Sequence, residues 1–273
     1  MSENPHAGAT RRQALRWLAT GSMAGTLRPW GQTALAQTKP PSGRTPDERK
    51  SAQDVDLQLL LAIDASGSVN WTRFGLQKQG YVDAFADHRV LDAIRSGPVG
   101  AIAVMMYQWT GPSMQANVVP WTRINDENSI MAFSAAIKAS ERNLFGGGTS
   151  VSGAIDYGTT QFPTSPFSGG RRVIDVSGDG SNNRGRAADA ARDDAVARGI
   201  NINGLPILEV EPYLEEYYRD NVIGGPGAFV VAAATFADFG TAILRKLILE
   251  IAGRTPQQAG SRGGRRHVPY SSL

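Results

Sequence analysis

The chain has 273 residues, of which 41% are hydrophobic and 19% charged, enough to bury the core of one domain of about 200 residues. Cysteine is absent, which excludes disulfide bonds, thiolate nucleophiles and cysteine-ligated metal sites. The net charge of +3 comes from residues 1–36, which carry four arginines and one glutamate, since the remainder has 24 basic and 24 acidic side chains. This neutral body argues against a nucleic-acid-binding protein.

The first 36 residues have the pattern of an export signal. The paired Arg11 and Arg12 precede a moderately apolar stretch, Ala14–Leu27, and small residues follow at Ala34-Leu35-Ala36. This resembles a twin-arginine signal peptide, the type used to export folded proteins. The stretch is interrupted and too weakly apolar for a transmembrane helix, and no later segment reaches that length. We therefore expect a protein of the periplasm or cell envelope without a transmembrane segment.

The remaining chain divides by composition into three parts. Residues 37–54 are polar and proline-rich, which is typical of a linker. Residues 55–252 contain the apolar periodic segments and are predicted to form the folded domain. Residues 253–273 are rich in arginine and glycine, and we expect a disordered basic tail.

Short apolar runs alternate with segments of helical spacing along the domain. The predicted strands are Val55–Asp64, Val99–Trp109, Gln115–Trp121, Arg172–Ser177, Ile200–Leu208 and Phe229–Ala233. The predicted helices are Trp71–Ile94, Asn125–Ser140, Val151–Gln161, Arg186–Arg198, Tyr213–Asn221 and Thr235–Ala252. This alternation predicts an α/β fold with a doubly wound, mostly parallel sheet and helices on both faces. The third of these strands is expected at an edge or antiparallel to its neighbour.

Three junctions between the predicted elements carry small side chains with oxygen atoms. Asp64, Ser66 and Ser68 follow the first strand, Thr149 follows three glycines, and Asp179 follows a later strand. Each junction alone also fits a turn with a helix N-cap. Because ligands of such sheets bind at the carboxyl ends of the strands, the joint occurrence predicts that the three junctions converge.

The chemistry of this set favours a hard cation. Two carboxylates and three hydroxyls supply only oxygen, without imidazole or thiolate, which suits Mg²⁺, Mn²⁺ or Ca²⁺ rather than zinc or copper. The glycines at 146–148 let the second loop approach closely, because they lack a Cβ atom. Mg²⁺ is the expected cofactor.

At these residues the chain resembles the von Willebrand factor A domain and its metal-ion-dependent adhesion site. In that family a D-x-S-x-S loop, a distant threonine and a later aspartate hold one divalent ion. The matching residues here, in the same order, are Asp64, Ser66, Ser68, Thr149 and Asp179. The resemblance covers roughly residues 55–252 and is strongest to an uncharacterised group of exported bacterial proteins, the DUF1194 type. It implies a Rossmann-like fold and a binding module, not an enzyme, that takes an acidic residue of a partner protein onto the ion.

The last loop departs from the common family pattern. It reads Ser-Gly-Asp-Gly, ending at Gly180, where Thr-Asp-Gly is usual, so Asp179 could reach the ion directly or through water. Asp175, earlier in the strand, is a weaker alternative ligand. Asn182 and Asn183 are expected to cap the next helix or to border the metal site.

Two other functions compete with a binding module. Oxygen-only Mg²⁺ sites support hydrolysis of phosphoesters, but the loops offer no general base, and the only nearby basic residues in sequence are Arg184 and Arg186. A nucleotide-binding Rossmann domain is disfavoured because the first strand ends in DASGS rather than in G-x-G-x-x-G. The partner protein and the oligomeric state are left open by the sequence.

Overall fold

The computed structural model describes residues 53–256, so the predicted signal peptide and most of the linker and tail lie outside it. The strands are β1 (Asp54–Asp64), β2 (Ile102–Trp109), β3 (Gln115–Ile124), β4 (Ser168–Gly178) and β5 (Asn201–Pro206). They form one sheet in the order β3-β2-β1-β4-β5, in which only the edge strand β3 is antiparallel to its neighbour. The predicted mostly parallel sheet is therefore confirmed, including the antiparallel edge.

The seven α-helices found within residues 53–256 lie on both faces of this sheet. They are α1 (Trp71–Ala86), α2 (His88–Arg95), α3 (Glu127–Ala139), α4 (Val151–Gln161), α5 (Ala188–Ala197), α6 (Leu214–Tyr217) and α7 (Phe239–Ile251). Helices α1, α2, α3 and α7 pack in the core of one face, and α4, α5 and α6 in that of the other. This confirms the doubly wound arrangement. Among residues 53–256, none of these helices has the length and apolar character needed to cross a membrane.

Strand β1 is central and is covered on both sides. Leu57, Leu59 and Leu61 belong to one hydrophobic core, and Leu60 and Ala62 to the other. Successive side chains of a strand point to opposite faces, so both sets of positions must be apolar when both faces are covered. The nearly continuous apolar run in the sequence is the direct consequence.

The predicted helix Trp71–Ile94 is interrupted in the structure. Helix α1 ends at Ala86, and the Asp87 side chain accepts a hydrogen bond from the backbone N–H of Arg89 at 2.9 Å, which caps α2. A short carboxylate that binds a nearby backbone N–H offers the chain an alternative to continuing the helix. The apolar spacing continues across this break, and for that reason it predicted one helix instead of two.

The predicted strand Phe229–Ala233 does not form. The segment makes only isolated bridges, Val230 with Gly204 and Ala233 with Ile207. The backbone N–H of Phe229 donates instead to the side chain of Asn203 at 2.9 Å, so a donor that a regular ladder would use is already engaged.

The predicted helix Tyr213–Asn221 is also only partly regular. It consists of the short helix α6 followed by a π-helical turn, Tyr218–Val222.

A cluster of charged side chains is fully buried between β4 and α7. The Nζ atom of Lys246 lies 2.7 Å from Oδ1 of Asp175 and 3.2 Å from Oε2 of Glu250. Asn203 donates to the other Glu250 oxygen at 2.8 Å. One cation thus faces two carboxylates, and burial raises the pKa of Asp175 to about 7 although Lys246 opposes the shift. Asp175 is therefore an ion-pair partner of α7, which argues against its alternative role as a metal ligand.

Candidate metal centre

The predicted ligands lie at the point where the sheet changes its winding direction. From β1 the chain continues to β2 and β3 on one side, and it later enters β4 on the other side of β1. In open α/β sheets the loops diverge at such a point and leave a crevice at the carboxyl ends of the strands. Asp64 is the last residue of β1, and Asp179 directly follows β4. The fold thus brings together two carboxylates that are far apart in the sequence.

The loop after β1 is fixed by its own hydrogen bonds. Oδ1 of Asp64 accepts a hydrogen bond from the backbone N–H of Ser66 at 2.7 Å. The hydroxyl oxygens of Ser66 and Ser68 are 3.2 Å apart. Asp64 and Ser66 are buried, whereas Ser68 is exposed. The alternating residues of this loop therefore place three oxygen-bearing side chains around one region, as the spacing predicts.

Asp179 is tied to this loop by one short contact. The hydroxyl of Ser68 donates to Oδ1 of Asp179 at 2.6 Å. The second oxygens, Oδ2 of Asp64 and Oδ2 of Asp179, are both buried and accept no hydrogen bond in the described structure. Nη1 of Arg73 lies 3.9 Å from Oδ2 of Asp179, an ion pair without a hydrogen bond. A buried carboxylate oxygen without a hydrogen-bond donor is costly, so both atoms would gain from a cation bound between them. This donor set fits a divalent cation.

Thr149 is oriented by Asn183. The backbone N–H of Thr149 donates to the Asn183 side chain at 3.0 Å, and its carbonyl accepts from the Asn183 backbone at 2.9 Å. A Cβ atom on Gly180 would lie 3.6 Å from the Thr149 hydroxyl oxygen, which places this hydroxyl beside the Asp179 turn. Asn182 and Asn183 were expected either to cap the next helix or to border the metal site, and Asn183 borders the site.

The glycines before Thr149 are required by the backbone. Gly146, Gly147 and Gly148 have φ values of 70°, 82° and 79°. These values lie in the left-handed region, which residues with a Cβ atom rarely adopt. A Cβ atom on Gly67 would lie 3.9 Å from Cα of Gly146, so the glycine loop runs directly beside the loop after β1.

The two carboxylates repel each other in the absence of a cation. Burial, together with the negative charge of Asp179, raises the pKa of Asp64 to about 7. Burial also raises the pKa of Asp179, although the Ser68 hydrogen bond and the charge of Arg73 act in the opposite direction. Within residues 53–256 no three His, Cys, Asp or Glu side chains gather into a metal-binding group. The candidate centre thus combines two carboxylates with three hydroxyls, and ligation by its five residues stays a prediction.

Gly178 explains the unusual Ser-Gly-Asp-Gly loop. A Cβ atom at this position would lie 2.9 Å from Oδ2 of Asp64, 3.1 Å from the Trp109 ring and 3.1 Å from the Tyr218 hydroxyl. Real Cβ contacts are rarely this close, so the position admits only glycine if Asp64 is to keep its place.

Four charged residues beside the site were not identified from the sequence. Arg73 donates to the Ser68 carbonyl at 2.9 Å and to Glu209 at 2.7 Å, and Arg142 donates to the Ser66 carbonyl at 3.2 Å. Glu211 accepts the backbone N–H of Ser181, two residues after Asp179. The two glutamates follow the carboxyl end of β5, a location the strand-end rule could have flagged. Arg142 has no comparable local signal, because its contact depends on tertiary packing.

A family model described as "Protein of unknown function (DUF1194)" matches residues 54–255, more than half of the chain. No curated protein matches the sequence.

Two solved structures illustrate the fold. Proximal thread matrix protein 1 from the mussel byssus, with a zinc-occupied MIDAS motif, has a TM-score of 0.53 at 14% identity, over 73% of this chain and 48% of that chain. The open conformation of the pilus adhesin SpaC from Lactobacillus rhamnosus GG has a TM-score of 0.52 at 16% identity, over 72% of this chain and 30% of that chain. This chain spans about half or less of the matched proteins, and identities this low indicate a shared fold. The sequence belongs to the DUF1194 family, and its fold is von Willebrand factor A-like.

Proposed function

We propose that the protein is an exported binding module that takes up a carboxylate of a partner protein through a divalent metal ion. The side chains that would hold the ion are Asp64, Ser66, Ser68, Thr149 and Asp179. We propose Mg²⁺ as the ion, with Mn²⁺ or Ca²⁺ as alternatives, because all five donors are oxygens.

One observation carries the proposal. Oδ2 of Asp64 and Oδ2 of Asp179 are buried without a hydrogen-bond donor, at adjacent strand ends that the Ser68 hydroxyl connects. A network built only to stabilise the fold would be expected to satisfy both atoms. Their arrangement is instead typical of a site whose partner is a bound cation.

The surrounding residues support ligand uptake in a second way. Two carboxylates would balance the formal charge of a divalent ion without excess, and the three neutral hydroxyls donate little further charge, so the bound ion could still accept an incoming acid. Arg142, which donates to the Ser66 carbonyl, and Arg184, beside Gly148, add positive charge around the loops, whereas Arg73 is paired with Glu209. Arg142 and Arg184 would favour an acidic partner by long-range attraction, most strongly at low ionic strength.

The zinc named in the byssus protein bears on the choice of metal. A fold relative with a zinc-occupied motif supports a divalent cation in general. The five oxygens of the present site, without histidine, favour the harder ions. Competition between Zn²⁺ and Mg²⁺ in one titration would decide between these cations.

The alternative of a phosphoester hydrolase finds less support. Glu209 and Glu211 lie beside the site, but Glu209 accepts from Arg73 and from the backbone N–H of Phe236, and Glu211 accepts from Ser181. Both carboxylates are thus engaged in fixing loops, and neither is free to activate water. A phosphatase screen with added Mn²⁺ that detects hydrolysis in the wild type, but not in S66A, would favour the alternative.

The binding proposal is tested by chemical crosslinking in cells that produce the full chain. We expect crosslinked adducts with the wild type in Mg²⁺, and we expect EDTA or the S66A substitution to remove them. D156N, which changes a surface carboxylate paired with Arg186, is the matched control and should keep the adducts. Adducts that resist both EDTA and S66A would contradict a metal-dependent module.

Export is a separate part of the proposal and rests on the Arg11-Arg12 pattern. Replacement of both arginines by lysine should retain the protein in the cytoplasm, as measured by fractionation of producing cells. Unchanged appearance outside the cytoplasm would contradict twin-arginine export and would leave the metal site untouched.

A further inference from the structure

Two exposed aromatic side chains lie beside the loop after β1 and the glycine loop 146–148. Trp71, the first residue of α1, is 66% exposed, and Phe145, directly before the glycine loop, is 51% exposed. Their ring centroids are 5.2 Å apart. The pair thus forms one apolar surface, although the two residues come from different parts of the chain. Exposed aromatic side chains that cluster in this way are typical of binding surfaces.

Arg142 connects this pair to the candidate metal centre. Its guanidinium carbon lies 5.5 Å from the Trp71 ring centroid and 4.8 Å from that of Phe145. The same group donates hydrogen bonds to the carbonyls of Ala65 at 2.9 Å and Ser66 at 3.2 Å. Arg142 makes cation–π contacts to both rings and two hydrogen bonds to the loop after β1. These contacts fix the rings relative to the proposed metal ligands of that loop. We call Trp71, Phe145 and Arg142 the aromatic platform.

A groove of about 440 Å³ extends from the platform between α1 and the end of α3. Trp71 and Arg142 line one part of it, and its other charged lining residues are Lys78, Lys138 and Glu141. Three positive charges therefore face one negative charge along the groove. Such a surface is complementary to an acidic segment and unfavourable to a basic one.

We propose that the aromatic platform and its groove select the partner of the metal site. This inference rests on the proposed function, and it names the partner's chemistry. The partner is an acidic segment in which a large apolar or aromatic side chain lies within about three residues of the metal-bound acid. An extended chain advances roughly 3.3 Å per residue, so three residues cover roughly 10 Å, enough to pass the Arg142 guanidinium that lies between the Ser66 carbonyl and the Phe145 ring. Further acidic residues of the segment face Lys78 and Lys138.

The first test is a selection with random dodecapeptides displayed on phage, using the full chain in Mg²⁺. We expect the enriched peptides to combine Asp or Glu with a large apolar residue within about three positions. Enrichment of acidic residues without apolar ones would overturn the platform and leave the proposed function standing. Enrichment without acidic residues, insensitive to EDTA, would overturn the proposed function and the platform with it.

The second test measures one enriched peptide by fluorescence anisotropy. The double substitution W71A/F145A should weaken peptide binding at least about tenfold, while Mg²⁺ affinity changes by less than about threefold. M131A, which truncates an exposed apolar side chain of α3, is the matched control and should leave peptide affinity unchanged. Peptide affinity of W71A/F145A within about threefold of the wild type would overturn the platform.

The competing occupant is a second copy of this chain. Sedimentation of the wild type and of W71A/F145A distinguishes it, since we expect the same monomeric species for both. A dimer of the wild type that W71A/F145A dissociates would show that the platform is a self-association surface, and would overturn the proposal.

Discussion

The hydroxyl of Ser68 donates a 2.6 Å hydrogen bond to Oδ1 of Asp179, a residue 111 positions later in the chain. This contact joins the loop after β1 to the loop after β4. It leaves the second oxygen of Asp179, like that of Asp64, buried without a hydrogen-bond donor. Ser68 and Asp179 therefore mark the place where the fold brings the proposed metal ligands together from distant segments.

Loss of a ligand should remove metal binding without unfolding the domain. We expect S66A and D64N to weaken Mg²⁺ and Mn²⁺ binding by more than the roughly 10–100-fold that is typical for residues behind the ligands. Calorimetric titration measures the affinity, and circular dichroism verifies the fold. D156N should bind the metal as the wild type does. Unchanged affinity in S66A and D64N would remove both residues from the site.

Gly178 should tolerate no side chain. The added methyl group of G178A would overlap Oδ2 of Asp64 and the Trp109 ring, so we expect a loss of about 1–3 kcal/mol in the free energy of unfolding. Metal affinity should fall as well, because Asp64 is displaced. G170A, on the same strand, is the control, since a Cβ atom there meets nothing within 4 Å. Equal urea midpoints for the two variants would contradict this explanation.

Lys246 should be essential for stability. K246M would leave the carboxylates of Asp175 and Glu250 buried without their cation, which costs about 3–5 kcal/mol for a broken buried ion pair. Urea denaturation should show this loss above about pH 7, and the loss should shrink at lower pH, where Asp175, whose pKa is raised to about 7, takes up a proton. The exposed Lys138 provides the control, because K138M should change stability by no more than about 0.5 kcal/mol. A similar small effect of K246M would contradict the assigned pairing.

Asp175 should make stability depend on pH. Its pKa is raised from 3.8 to about 7 by burial, so the folded protein binds a proton that the unfolded chain has already released between these values. The contribution of this group to the free energy of unfolding therefore falls as pH rises from about 4 to about 7. D175N lacks the titrating group, so its stability relative to the wild type should increase over that range. A difference between the two proteins that stays constant from pH 4 to pH 8 would contradict the raised pKa.

The sequence predicted those features that depend on local pattern and on the position of strand ends. The apolar run of β1 indicated a strand covered on both faces, and the structure has Leu59 and Leu60 in opposite cores. Because parallel strands end at the same edge of a sheet, the junctions at Asp64 and Asp179 could be expected to meet, and they do.

Features that depend on tertiary contacts, or on hydrogen bonds that override the local pattern, could not be predicted from the sequence. The break at Asp87 follows from a capping hydrogen bond that the continuing apolar spacing conceals. The segment Phe229–Ala233 has strand-like composition, but its first backbone N–H, that of Phe229, donates to the side chain of Asn203 instead of to a neighbouring strand. Arg142 contacts the loop after β1 because the end of α3 packs beside that loop, and no local sequence pattern around Arg142 predicts this contact.

The account depends on one ion bound between the two carboxylates, and anomalous diffraction from crystals grown with Mn²⁺ tests this most directly. We predict a single strong manganese peak within bonding distance of oxygens from both Asp64 and Asp179, with hydroxyls of Ser66, Ser68 and Thr149 around it or joined to it through water. Absence of a peak at these residues under saturating Mn²⁺, or a peak elsewhere on the surface alone, would contradict the account.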